Sequence, residues 1–211
     1  MNSPQAEIWE RYAAKYTPRR PVNAAGASTW LNWTQYPDHG PDESVLGDLK
    51  GKRVLELGSG AGANLAHLAT LGAVCTGIDI APSRAHTAQQ TWGNLGEITF
   101  ATADAVEYLA TTTTTFDIVY SIFGAVWFTD PEILFPLVRK RVSDEGIFAF
   151  SHPPASPQEY KPGQVIRQWH LAPTRWTDLL TDTGFADAAA EVIDAPEPGK
   201  PGTVLVYASA T

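Results

Sequence analysis

The chain has 211 residues, 44% hydrophobic and 18% charged, which is room for one folded domain with a real core and excludes a disordered polymer. Lys and Arg number 15 against 23 Asp and Glu, a formal charge of −8 that disfavours general binding to nucleic acid phosphates. The single Cys75 excludes an internal disulfide framework and any multi-cysteine metal site, and no apolar run approaches the ~20 residues of a membrane-spanning helix. The N-terminus, MNSPQAEIWERYAAKY, is amphipathic and lacks the apolar core of a secretion signal, so the expected location is the reducing cytoplasm.

Residues 1–49 hold six large aromatics, Trp9, Tyr12, Tyr16, Trp30, Trp33 and Tyr36, between helices and loops. Ile8, Tyr12 and Tyr16 recur every four residues and share a helix face. The stretch PDHGPDES at 37–44 reads as a turn and a helix start, with Pro41 in the opening position. From residue 50 strands and helices alternate: strands over 52–57, 73–80, 97–103, 116–123 and 146–152, helices over 63–72, 82–92, 104–109 and 131–141. Asp104 is a helix cap, and Pro136 must bend its helix or shift its start. A helix within 172–185 precedes strands near 185–193 and 203–209, joined by the turn-rich APEPGKPG without a helix and therefore antiparallel. The expected fold is α/β, a largely parallel sheet with helices on both faces. Residues 153–172 interrupt the alternation with prolines and aromatics, which suits a cap loop near a site. The run TTTTT at 111–115 reads as a solvent loop.

The informative segment is VLELGSGAGANLAHLATLGAVCTGIDIAPS, residues 54–83. A strand runs into Gly58-Ser59-Gly60-Ala61-Gly62 and then a helix, and Asp79 ends the next strand about 20 residues on, where a carboxylate accepts ribose hydroxyl protons. A dinucleotide and S-adenosyl-L-methionine (SAM) both fit such a crevice. Three details favour SAM. The glycines read G-x-G-x-G rather than G-x-G-x-x-G. Glu56 beside the loop would repel a pyrophosphate but attract a sulfonium and an ammonium. About 50 aromatic-rich residues precede the glycine strand, where a nicotinamide enzyme usually opens its chain on it.

Over roughly residues 44–211 the chain resembles the class I SAM-dependent methyltransferases, in their small-molecule branch. ELGSGAG, GIDIAPS, ATADAVEYL, FDIVYSIFGAVWF and GIFAFSHP carry the resemblance. It implies a three-layer sandwich with a seven-stranded sheet in the order 3-2-1-4-5-7-6, strand 7 antiparallel, with residues 1–49 as an N-terminal helical lid, 50–211 as the SAM-binding domain and a cap loop over 153–172. It also implies cofactor contacts from Tyr16, Glu56, Gly58, Ser59, Gly60, Gly62, Asn64, Asp79, Ile80, Asp104, Ala105 and Ser121. In that reading Asp79 takes the ribose, Asp104 the adenine amino group, and Ala105 packs on the ring. SAM is the cofactor, S-adenosyl-L-homocysteine (SAH) the product, and no metal is expected. The reading Ser121-Ile122-Phe123-Gly124 after the fourth strand departs from the Asn-Pro-Pro-Tyr-like tetrad of DNA-base methyltransferases.

Methyl transfer from a sulfonium is an in-line displacement with a neutral leaving group, so alignment and water exclusion carry most of the acceleration. A base is needed only where the acceptor holds a proton at pH 7. His152, just past the fifth strand, is one candidate, beside the alternative of a structural hydrogen bond; His170 and His39 are others. His67 and His86 read as solvated, and Cys75 as inert. Trp30, Trp33, Phe123, Trp127, Phe128 and Trp169 are candidates to wall an apolar substrate pocket, against the plainer reading that some only fill the core, and Trp176 reads as packing. The expected activity is methyl transfer to a small organic acceptor, an oxygen first, by a monomer or homodimer without nucleic acid or membrane partners. A SAM-dependent cyclase or eliminase, a nicotinamide-dependent oxidoreductase and a silent SAM or SAH sensor stay open.

Overall fold

The computed structural model describes residues 4–15, 19–155 and 166–211. Seven strands form one sheet: β1 (Arg53–Leu57), β2 (Val74–Asp79), β3 (Ile98–Thr102), β4 (Phe116–Ile122), β5 (Val142–His152), β6 (Ala186–Ile193) and β7 (Thr203–Ser209). Their order is β3-β2-β1-β4-β5-β7-β6, parallel from β3 through β5, with β7 antiparallel to both of its neighbours. The helices are α1 (Pro4–Ala13), α2 (Ala63–Thr70), α3 (Pro82–Trp92), α4 (Ala105–Thr111), α5 (Ala125–Phe128), α6 (Pro131–Arg139) and α7 (Pro173–Asp182). None of these is long and apolar enough to cross a membrane.

The central strands are nearly continuous apolar runs because both of their faces are covered. In β1, Val54 joins a core with Leu65, Leu68, Tyr120 and Trp33, while Leu55 and Leu57 join the opposite core with Val119, Phe135, Phe148 and Trp176. Winding proceeds from β1 outward to β2 and β3, then returns to β4 on the other side of β1. The carboxyl ends of β1 and β4 therefore border the point where the winding reverses, the place where an open α/β sheet leaves a crevice.

Several boundaries differ from the sequence reading. The start expected after Pro41 is a single 3-10 turn, Glu43–Leu46, capped by the Asp42 side chain on Ser44 N–H. Strand β5 begins at Val142, because Phe116 pairs with Val142 across a register shift that an apolar pattern does not reveal. The one-turn helix α5 was not anticipated; Gly124 precedes it with no side-chain cap. Helix α6 continues through Pro136, whose missing N–H falls one turn inside the helix. Of the loop expected at 111–115, Thr111 closes α4. His67 is not solvated: it is half-buried, with Nε2 at 3.1 Å from Glu43 Oε2 and Nδ1 at 3.3 Å from Thr29 Oγ1.

Candidate functional site: a cleft at the carboxyl ends of β1, β2 and β4

The glycine loop is held by the end of the neighbouring strand. Gly58 and Ser59 N–H both donate to the Ile78 carbonyl at 2.9 Å. Gly58 has φ +78 and Gly60 φ +53, which glycine adopts without strain. A Cβ on Gly58 would lie 2.5 Å from Ala125 N and 2.9 Å from Gly124 Cα, so the β1 and β4 loops touch backbone to backbone. A Cβ on Gly60 would meet nothing within 4 Å, in the wall of a cleft of about 320 Å³. That gap beside an exposed main chain leaves space that a ligand could fill.

Carboxylates surround it. Asp79, at the end of β2, accepts from Gly60 N–H through Oδ2 and from Ala81 N–H through Oδ1, both at 2.9 Å. Burial raises its pKa, and those two N–H donors oppose the rise. Asp104 caps α4, accepting from Val106 and Glu107 N–H through Oδ1 alone. Glu56 is 2% exposed and stands opposite Tyr120 in the β1–β4 register and opposite Gly77 in the β1–β2 register. Burial lifts its pKa to about 8; Tyr120 and the Arg19 charge oppose this, while Asp79 adds to it. Buried Glu56 Oε2 and Ser59 Oγ have no hydrogen-bond partner. An unpaired buried polar atom is costly, so both are suited to bonding a polar ligand in the cleft that they line.

The cleft also holds two guanidinium groups that the sequence reading missed, Arg19 and Arg84. Arg19 donates from Nη1 to the Trp30 carbonyl at 2.8 Å and from Nη2 to Asn64 Oδ1 at 2.7 Å, and its guanidinium stacks 4.7 Å from the Trp30 ring centroid. The only sequence trace of this role was a basic pair, Arg19-Arg20, in the segment before the glycine strand. Helix α1 closes one side: Glu10 accepts from Ser83 N–H at 2.7 Å, while Trp9 and Tyr12 line the cleft.

The expected cofactor residues Glu56, Gly58, Ser59, Gly60, Gly62, Asn64, Asp79, Ile80, Asp104 and Ala105 are brought together in this wall. Ser121 is not in it: its hydroxyl donates to the Leu57 carbonyl at 2.7 Å and accepts from Val126 N–H, clipping β4 to β1 beneath the floor. Tyr16 lies outside the described residues, as does 156–165 of the cap loop. Among the aromatic candidates Phe123 and Phe128 line the cleft. Trp33 is wholly buried against Tyr120 and donates its indole N–H to the Asp42 carbonyl, and Trp30 lies under Arg19. Trp127 and Trp169 stand behind the wall; Trp169 N–H donates to the Trp127 carbonyl, and Arg167 stacks on the Trp169 ring.

The candidate histidines are also outside the cleft. His39 Nε2 lies 2.7 Å from the Asp194 carbonyl. His152 is wholly buried, with its ring parallel to Trp127 at 6.3 Å and edge-on to Trp176 at 5.4 Å. Its Nδ1 lies 2.7 Å from the Pro153 carbonyl, which only accepts, so Nδ1 carries the hydrogen and Nε2 a lone pair without a partner. Burial pushes its pKa down to about 4, against the Pro153 carbonyl and assisted by nearby His170. His170 is held below the usual histidine range by burial, and its Nε2 lies 3.2 Å from Gln168 Oε1. Among the described residues no group of three or more His, Cys, Asp or Glu could hold a metal ion.

Comparison with known proteins agrees with this geometry. Residues 55–150 match the family described as "Methyltransferase domain". A malonyl-[acyl-carrier protein] O-methyltransferase of Geobacter sulfurreducens is 35% identical over 101 residues, which is 47% of this chain and 38% of that protein. The chain thus matches well under half the length of this curated relative. A magnesium protoporphyrin IX methyltransferase from Synechocystis, solved with bound SAM, superposes with TM-score 0.58 at 21% identity over 78% of this chain and 73% of that one. A 1,6-didemethyltoxoflavin-N1-methyltransferase from Burkholderia thailandensis, solved with its substrate and SAH, gives 0.62 at 18% identity over 80% and 74%. The chain has the fold of the class I SAM-dependent methyltransferases, and residues 55–150 are similar to a methyltransferase domain.

Proposed function

We propose that this protein transfers the methyl group of SAM to an oxygen of a small organic acceptor in the cytoplasm. The observation that carries the cofactor is Asp79, fixed at the end of β2 by two backbone N–H groups and facing a cradle beside Gly60. Bound there, SAM supplies an electrophilic methyl on a positively charged sulfur. Asp79 and Asp104 would hold the nucleoside, Glu56 and Ser59 the ammonium, and Arg19 the carboxylate. The three acids complement a cationic ligand, whereas a diphosphate would be repelled. The oxygen preference draws support from the O-methyltransferase relative.

The placement of His152 narrows the acceptor. His152 is wholly buried, neighbours Trp127 and is absent from the cleft wall, so an acceptor in the cleft does not meet the free Nε2. An acceptor already ionised at pH 7, a carboxylate, needs no base and only has to be aligned in a dry pocket. Phe123, Phe128 and Trp9 provide that dryness.

Methyl-tritiated SAM incubated with panels of small carboxylic acids and of phenols tests the reading. Label expected on a carboxylic acid would be released by alkali as volatile methanol. Alkali-stable label on a phenol, lost in His152→Gln, would refute the carboxylate choice. Thermal stabilisation by NAD(H) but not by SAM or SAH would refute the cofactor.

A further inference from the structure

A second cavity, of about 350 Å³, shares no lining residue with the cofactor cleft. Three separate parts of the chain build it. The turn over 23–27 is closed by Asn23 N–H on the Ala27 carbonyl at 2.9 Å and by Ala27 N–H on Asn23 Oδ1 at 2.8 Å, and it delivers Thr29. The 3-10 turn Glu43–Leu46 begins with Glu43, and helix α2 contributes His67. Their side chains form one line: Thr29 Oγ1 lies 3.3 Å from His67 Nδ1, and His67 Nε2 lies 3.1 Å from Glu43 Oε2. A carboxylate only accepts, so Nε2 carries the hydrogen and the Nδ1 lone pair faces the Thr29 hydroxyl. All three residues are half-buried and line the cavity. Trp30 lines it too; it is 8% exposed, and its indole N–H has no hydrogen-bond partner. A contact between His67 and Glu43 would suffice to pin α2. It needs neither a hydroxyl on the other ring nitrogen nor an unpartnered donor in the same wall.

We propose that Thr29, His67 and Glu43 are the nucleophile, the base and the orienting acid of a second activity, the hydrolysis of small uncharged or cationic carboxylic esters. A hydroxyl within reach of a base that a third group holds in place is the arrangement that activates an oxygen nucleophile. Thr29 Oγ1 attacks the ester carbonyl carbon while its proton passes to His67 Nδ1, and the carbonyl electron pair moves onto oxygen. The Trp30 indole supplies an N–H donor to that oxygen. Glu43 keeps the Nε2 hydrogen and stabilises the imidazolium that forms. Collapse breaks the bond to the alkoxide, which takes the proton from Nδ1 and leaves as the alcohol. Water repeats the sequence on acyl-Thr29, releasing the acid and restoring the hydroxyl. Asp38, Asp42 and Glu43 in the wall repel an anionic ester. The activity is independent of methyl transfer, because the two cavities have no wall residue in common.

The test is release of 4-nitrophenol from 4-nitrophenyl acetate by the whole chain, with the anionic 4-nitrophenyl hemisuccinate beside it. The acetate should be hydrolysed and the hemisuccinate far more slowly. Thr29→Val keeps the shape of the side chain and removes the nucleophile; His67→Gln removes the base. Each should lower the enzyme-dependent rate by about 100-fold or more, while Thr29→Ser retains it. Glu43→Gln should also lower it, by freeing the imidazole to take the wrong tautomer. Thermal unfolding of each variant shows whether it is folded. Peptide mapping of the wild-type chain, quenched in acid during turnover, should find the acetyl group on Thr29, a readout that no variant's stability affects. Equal rates in the wild type and a folded Thr29→Val would overturn the proposal, as would acetyl found only on a lysine or another histidine. A chain that hydrolyses the ester but binds neither SAM nor SAH would refute the methyltransferase reading and leave this one standing.

Discussion

Two glycines two residues apart, Gly58 and Gly60, make opposite demands, and replacing each by alanine separates fold from function. A side chain at φ +53 or φ +78 costs roughly 1–2 kcal/mol in the left-handed region. At Gly60 nothing else is added, since the new Cβ would meet no atom within 4 Å. For a chain of this size that strain lowers the Tm by about 2–8 °C. At Gly58 the Cβ would press on Ala125 N at 2.5 Å and on Gly124 at 2.9 Å, both backbone, so neither can swing aside. That overpacking adds a further cost of about 1–3 kcal/mol and opens the β1–β4 junction. Differential scanning calorimetry with and without SAH reads both effects. At about a hundredfold excess over its Kd, SAH adds roughly 2.7 kcal/mol to the wild type. Gly60→Ala should fold with a modestly lower Tm yet lose most of that ligand-induced rise, because its methyl projects into the cradle. Gly58→Ala should lose far more stability before any ligand is added. A Gly60→Ala protein that kept the full SAH-induced rise would refute the placement of the cofactor against this loop.

Four further outcomes follow from the structure. Glu56, with a pKa near 8, holds its proton at pH 7, and a bound cation favours the carboxylate; SAM or SAH binding should release up to one proton, seen as a buffer-dependent enthalpy in titration calorimetry that vanishes in Glu56→Gln. The same raised pKa penalises the fold as pH climbs from about 4.5 to about 8, so Glu56→Gln should be the more stable chain at pH 9 without ligand, by denaturant unfolding. His152 is depressed to about 4, so its neutral burial supports the fold above the ordinary histidine range and that support drains as pH falls from about 6.5 to about 4; His152→Gln should flatten this part of the stability profile. Asp79→Asn loses one of two acceptors facing Gly60 and Ala81 N–H, which should cost about 1–3 kcal/mol in unfolding experiments as well as SAH affinity.

The glycine loop, Asp79 and Asp104 were legible in the sequence because each role is local. A strand that ends in glycines, a carboxylate at the next strand's end and a cap before a helix are fixed by a few residues of neighbouring chain, while the sheet order was implied by the family resemblance that those motifs carry. What depended on distant contacts was not legible. Ser121 became a clip rather than a ligand because the Leu57 carbonyl of another strand lies above it. Trp33 went to the core because Tyr120 and the Asp42 carbonyl complete its surroundings, while Phe123 and Phe128, no more apolar, reached the cleft on the far side of a turn. Arg19 acquired a role only when Asn64 and Trp30 were folded beside it. His152 stands at the strand end its sequence position promised, but the Trp127 ring covers it. Sequence by itself determined the alternation of strands and helices and the place of the glycine loop, since these follow from periodicity and backbone conformation. Tertiary structure alone decided which aromatic rings, cations and imidazoles line the cleft, since that choice is made by packing between segments far apart in the chain.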